Sequence, residues 1–118
     1  MSIRWYEYYF TAEDHLDVRV DIQKGVMVGF RLNLRTKWNG VWHPVIRYDT
    51  CHGYPHVHRF WRGVDVAEEL THPAFRLDDF TAAFVSLWND IKERWEAHRD
   101  ALLAHLQTAA HDPPGGPA

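Results

Sequence analysis

Three of the chain's nine histidines, His52, His56 and His58, fall within seven residues, with Arg47, Asp49 and Cys51 just upstream. They flank a Gly53-Tyr54-Pro55 turn in the stretch R-Y-D-T-C-H-G-Y-P-H-V-H-R-F-W. Core packing does not ask for such a cluster, whereas imidazole exchanges a proton, binds a metal or grips a phosphate near neutral pH. On a strand, His56 and His58 share a face because side chains alternate. With His52 or Asp49 as a third donor, that pair would ligate a divalent metal such as Zn. The same residues also suit metal-free cleavage of a phosphodiester, with two histidines as base and acid and Arg47 or Arg59 stabilising the developing charge. Arg47, Asp49, His52, His56 and His58 are therefore the candidate catalytic residues, and the metal and metal-free readings both stay open. Cys51 is adjacent to His52 and would face the other side of a strand, so it reads as a buried thiol rather than a nucleophile.

The net charge of −3 conceals a partition along the chain. Residues 25–62 carry Arg31, Arg35, Lys37, Arg47, Arg59 and Arg62 against Asp49 alone, a balance of +5. The segments on either side are acidic, at −2 and −6. A basic third that also holds the histidine cluster suggests a local anion site for a phosphate or a nucleic-acid backbone. Arg31, Arg35, Lys37, Arg59 and Arg62 are the candidate substrate-binding residues. The plainer alternative is that sheet surfaces commonly carry Arg and Lys.

The elements that would position these residues are legible as two periods. Leu16, Val18, Val20 and Ile22 alternate with His15, Asp17, Arg19 and Asp21, and Val26, Val28, Phe30, Leu32 and Leu34 repeat the pattern. Period two with one apolar face predicts antiparallel strands that are wet on the other side. Residues 3–10 read as a further aromatic strand and residues 56–61 as a short fifth one. Asn39-Gly40, between Trp38 and Val41, is a strong two-residue hairpin signal. From Phe80 the period changes: Phe80, Phe84, Leu87, Ile91, Trp95, Leu102 and Leu106 form a helical stripe, with Asp78 or Asp79 as N-cap. The expectation is an α+β domain over residues 1–108, a four- to five-stranded antiparallel meander packed against one long C-terminal helix, with a disordered tail at 109–118. A helix to about Gln107 would outrun the strands, and a homodimer through it would cover the excess. Six tryptophans are more than so short a core needs and fit an interaction surface.

If Asn39-Gly40 forms a two-residue turn and the ladder is regular, Leu34 opposes Val45, Leu32 opposes Arg47 and Phe30 opposes Asp49. Arg47 and Asp49 would then lie on the apolar side, beside the helix. A bulge would reverse the outcome and leave both in water.

The segment from Arg47 to Phe60, together with the chain's size, N-terminal sheet and C-terminal helix, resembles small toxin-like proteins of the TumE type. Those are encoded beside a DNA-binding antitoxin and carry an Arg-Tyr-Asp segment followed by a His- and Pro-rich turn. The resemblance implies a toxin of a two-gene system presumed to act on RNA, with an antitoxin protein as partner and Arg47, Asp49, His52, His56 and His58 as its site. Here Gly53-Tyr54 interrupts the run of histidines usual in that family. Arg99 and His105 also match the helical spacing of HEPN ribonucleases, but those are helical bundles and half of this chain reads as strands. The rival readings are a metal-binding module on His56 and His58, and a non-catalytic interaction protein using its tryptophans and long helix. The single cysteine, with no leader or membrane-length apolar run in the sequence, makes a cytoplasmic location the expectation.

Overall fold

A computed structural model describes residues 1–50, 53, 55–63, 67–69 and 80–111. Five strands form the expected antiparallel meander: β1 (Ser2–Thr11), β2 (Asp14–Gln23), β3 (Val26–Trp38), β4 (Val41–Asp49) and β5 (His56–Arg59). A three-residue β6 (Ala67–Glu69) extends the sheet, whose order follows the sequence. A single 3-10 turn at Phe60–Arg62 follows β5, and the long helix α1 (Phe80–His111) covers one face. Residues 109–111, expected in the tail, are helical, while Asp78, Asp79 and residues 112–118 lie outside the described residues.

Two of the three tight hairpins, β2–β3 and β3–β4, have the same chemistry. Lys24 and Gly25, like Asn39 and Gly40, take positive φ of 51° and 77°. Two successive positive φ values match the right-handed twist of the flanking strands, and they favour Gly at the second position.

The core lies between the sheet and α1. Leu16, Val18, Phe30, Leu32, Leu34, Ile46, Tyr48 and Val57 meet Ala83, Leu87, Ile91 and Leu102 of the helix, all buried. Burying each large side chain contributes about 1.5–3 kcal/mol. The helical stripe is thus the expected one, and β2 and β3 turn the anticipated residues inward, with one exception. The β2–β3 register shifts so that Asp21 opposes Gly29 while Ile22 opposes Met27. Val28 is the extra residue, and Met27 rather than Val26 or Val28 packs on the core; Val26 and Val28 are exposed.

A second bulge corrects the expected position of Arg47 and Asp49. The pairs Trp38–Val41 to Arg35–Pro44 follow the two-residue turn, after which the register shifts and Leu34 opposes Ile46. Val45 is the inserted residue, and both it and Ile46 are fully buried. Pro44 has no N–H to give a ladder, which is why a proline inside a sheet sits at an edge or bulge. Beyond it, Arg47 opposes Asn33 and Asp49 opposes Arg31, on the face turned away from α1.

Candidate functional site

The face opposite the helix is built in cross-strand rows. One row runs Trp5, Arg19, Arg31, Asp49, His56, and the next runs Glu7, Asp17, Asn33, Arg47, His58. The two bulges bring charged residues from four strands into register. Directly opposed side chains on one face come within about 5 Å, near enough for charges to choose partners.

At the centre, His56 Nε2 lies 2.7 Å from Asp49 Oδ1, and the two side chains are only 10% and 12% exposed. A carboxylate accepts, so Nε2 carries the proton and the basic lone pair of His56 is on Nδ1. Beside this dyad is a pocket of about 300 Å³ lined by Arg19, Asp21, Gly29, Arg31, Asp49 and Thr50 among others. The Thr50 hydroxyl is held by the Phe30 N–H at 3.0 Å. Glycine at 29 keeps the pocket open, because a Cβ there would come within 3.1 Å of both Asp21 Oδ2 and Thr50 Oγ1. Arg19 is tied to Asp21 at 2.8 Å. Arg31, opposite both Arg19 and Asp49, keeps a buried Nε with no hydrogen-bond partner among the described residues. Arg31 lines the pocket as a guanidinium, and its positive charge favours an anion with oxygen acceptors.

His58 and Arg47 oppose each other on β5 and β4. His58 stacks on Phe60 with ring centres 4.2 Å apart, the Arg47 guanidinium lies 5.3 Å from the same ring, and His58 Nε2 is 3.2 Å from the Gly63 carbonyl. Nε2 of each histidine is therefore engaged with an oxygen, and a metal would have to take both at Nδ1. The structure brings Arg31, Arg47, Asp49, His56 and His58 onto one face; His52 and Cys51 lie outside the described residues.

The remaining basic residues do not join into one track. Arg35 shares the polar face, but its Nε is 2.9 Å from Asp17 Oδ2 and its guanidinium lies 5.5 Å from the Trp42 ring. Lys37 is exposed further along β3, opposite Trp42. Arg59 opposes the buried Ile46 and so belongs to the helix side of the sheet; it and Arg62 both bind Glu68, at 2.7 and 2.6 Å. The hydrogen bond from Arg62, with the charge of Arg59, holds the Glu68 carboxyl below its ordinary range. Counting basic residues along the chain missed these partners, which come from other strands.

Among the described residues, one group of three potential metal donors converges within 4.8 Å: Glu7, His15 and Asp17. Arg35 Nη2 lies 3.1 Å from His15 Nδ1. A guanidinium only donates, so Nδ1 accepts and the proton sits on Nε2, which faces Asp17 at 3.3 Å. The imidazole then has no lone pair left for a cation, and Arg35 already supplies positive charge. The group is an ion-pair network.

A third polar cluster joins sheet to helix. The Tyr48 hydroxyl donates to Asp90 Oδ2 at 2.7 Å, His98 Nε2 binds the same oxygen at 3.0 Å, and Trp61 stacks on His98. Burial acts to raise the Asp90 carboxyl, but the hydrogen bonds from His98 and Tyr48 outweigh it and hold the group below its ordinary range. Burial, with the Asp90 charge, pushes the Tyr48 phenol far up. Arg99 reaches the buried Asp14 at 3.5 Å and lies over Trp95, while His105 is exposed on α1. That pair pins the helix at one end and leaves its histidine at the surface, unlike a paired Arg–His site.

An antiparallel meander with a helix on one face and an Asp–His dyad beside an arginine-lined pocket on the other defines a small α+β domain with its candidate site on the open sheet face. The chain belongs to the family of the domain of unknown function DUF7718, whose pattern matches residues 1–107. No curated protein and no solved structure matches it. Among the described residues, no helix is long and apolar enough to cross a membrane.

Proposed function

We propose that the chain is a small RNA-directed, toxin-like protein that breaks a phosphodiester without metal at the Asp49–His56 dyad. The observation that carries this reading is the 2.7 Å contact between His56 Nε2 and Asp49 Oδ1 at the wall of the Arg31 pocket. Asp49 orients the imidazole and stabilises its protonated form, as a carboxylate does for a histidine base. His56 Nδ1 takes the proton of a ribose 2′-hydroxyl, whose oxygen attacks the neighbouring phosphorus. The 5′-oxygen leaves with a proton from His58, which gives a 2′,3′-cyclic phosphate and a free 5′-hydroxyl. Arg31 and Arg47 face the phosphate oxygens, where negative charge builds up in the transition state. Because Arg19, Arg35, Arg59 and Arg62 already have carboxylate partners, the protein contacts few phosphates, and its affinity falls only gently with salt. The likeness of residues 47–60 to TumE-type proteins supports a two-gene setting with an antitoxin partner.

The test is cleavage of single-stranded RNA by the full chain in EDTA, with wild type compared with His56→Ala, Asp49→Asn and His58→Ala. Loss of about 10²–10⁴-fold in rate for the first two variants, with cyclic-phosphate ends from wild type, is the expected result. Equal rates in all four proteins remove the proposal. Activity abolished by EDTA and restored by Zn supports the metal reading on His56 and His58 instead.

A further inference from the structure

We infer that two copies of this chain associate through β1, edge to edge and antiparallel, with the two-fold axis at Tyr6. The apolar surface that a partner would cover is on this strand and not on the helix. Ile3, Trp5, Tyr6, Tyr8 and Tyr9 are all exposed, Trp5 by 62%, whereas Val85 is the one large apolar residue of α1 that is exposed to this degree. β1 lies at the edge of the sheet and, among the described strands, pairs only with β2. Edge strands that stay single are protected by charged side chains, above all lysine, or by proline or bulges. Over Ser2–Tyr9, β1 has no lysine or proline, carries only Arg4 and Glu7 as charges, and pairs regularly with β2, the one register shift falling at Phe10 near its end. The opposite edge, β6, is only three residues long.

The occupant follows from the strand's own sequence. In an antiparallel pair with a two-fold axis normal to the sheet, residue numbers across the junction sum to an even constant, so like faces meet. Centred on Tyr6, the ladder spans residues 2–10, the longest overlap β1 allows without opposing like charges. Arg4 then meets the partner's Tyr8, Trp5 the partner's Glu7, and Ile3 the partner's Tyr9. Moving the axis to Glu7 would set two carboxylates against each other, and moving it to Trp5 would shorten the ladder. Between β1 and α1 runs a mainly apolar groove of about 360 Å³ lined by Tyr6, Glu7, Tyr8, Val18, Phe84 and Trp88. In this register the partner's Arg4 and Tyr6 stand beside that groove, where aromatic faces suit a guanidinium. The chain's own residues 112–118 are a poor strand, with three prolines in seven. Covering the exposed aromatics of both copies buries roughly 1,000 Å², near the lower limit for a stable interface, so the dimer is concentration-dependent. Both candidate sites lie on the same face of the joined sheet.

Sedimentation velocity of the full chain over a concentration series tests this, with circular dichroism as a check on folding. Wild type should dimerise by tens of micromolar, and Tyr6→Lys and Tyr8→Lys should weaken the dimer at least about tenfold with the fold intact. Tyr6→Cys in a Cys51→Ser background should form a disulfide-linked dimer on oxidation, which Val85→Cys in the same background should not. That second measurement holds even if the lysine variants fail to fold. A wild type that is monomeric throughout overturns the inference, as does a dimer indifferent to the β1 changes or one cross-linked through Val85→Cys.

Discussion

Asp90→Asn isolates the charge at the junction of sheet and helix. The asparagine keeps the size of the side chain and one acceptor oxygen but loses the charge. In the wild type, Asp90 Oδ2 accepts from the Tyr48 hydroxyl at 2.7 Å and from His98 Nε2 at 3.0 Å, with Arg94 at 3.6 Å from Oδ1. A hydrogen bond to a charged group is worth about 1.5–3 kcal/mol against about 1 for a neutral one. The difference is about 0.5–2 kcal/mol per bond. A total of roughly 2 kcal/mol for the two, below the middle of the summed range, allows for a carboxylate that is 27% exposed and partly screened. For a domain of this size that lowers the melting temperature by roughly 8 °C at neutral pH. The pH arm separates charge from packing. Asp90 is held below its ordinary 3.8 in the folded state, so its contribution is complete above that value and is lost as pH falls through the lower folded one. Thermal melts of wild type and Asp90→Asn should therefore differ at pH 7 and converge in strong acid. Equal melting at pH 7 would refute the reasoning. So would a gap that persists undiminished at acid pH, since it would trace to packing and not to the carboxylate's charge.

Gly29→Ala puts a methyl group 3.1 Å from Asp21 Oδ2 and from a Thr50 hydroxyl already held by the Phe30 N–H. Denaturant melts should show a loss of about 1 kcal/mol, and RNA binding in a filter assay should weaken as the Arg31 pocket narrows. Unchanged binding would place the ligand elsewhere. Deleting Val45 removes the bulged residue while keeping Leu34 opposite Ile46 and Asn33 opposite Arg47, so the chain should still fold. The cost should be about that of one buried valine, roughly 2 kcal/mol, measured by chemical denaturation. A deletion variant that fails to fold would show that the bulge does more than set the register.

Local sequence already determined much of this protein. The alternation from Leu16 to Leu34 predicts strands with one apolar face, Asn39-Gly40 a turn with two positive φ values, and the stripe from Phe80 to Leu106 a covering helix. These are properties of neighbouring residues, which is why they can be read directly along the chain. The candidate site was legible as a set of residue types, with Arg47, Asp49, His56 and His58 close together in sequence. Which face they occupy was decided only by the tertiary structure. Bulges at Val28 and Val45 each add one residue, and a one-residue slip exchanges the two faces of a strand. The second bulge moves Arg47 and Asp49 from beneath the helix to the open face and pairs Asp49 with His56. Charge pairing was equally beyond a linear reading. Asp17 and Glu68 come from segments counted as acidic, yet the sheet sets them against Arg35 and the Arg59–Arg62 pair. Arg31, opposite Arg19 and Asp49, is left to line the pocket. Cross-strand partners depend on register, and register is settled by the whole sheet packing against its helix.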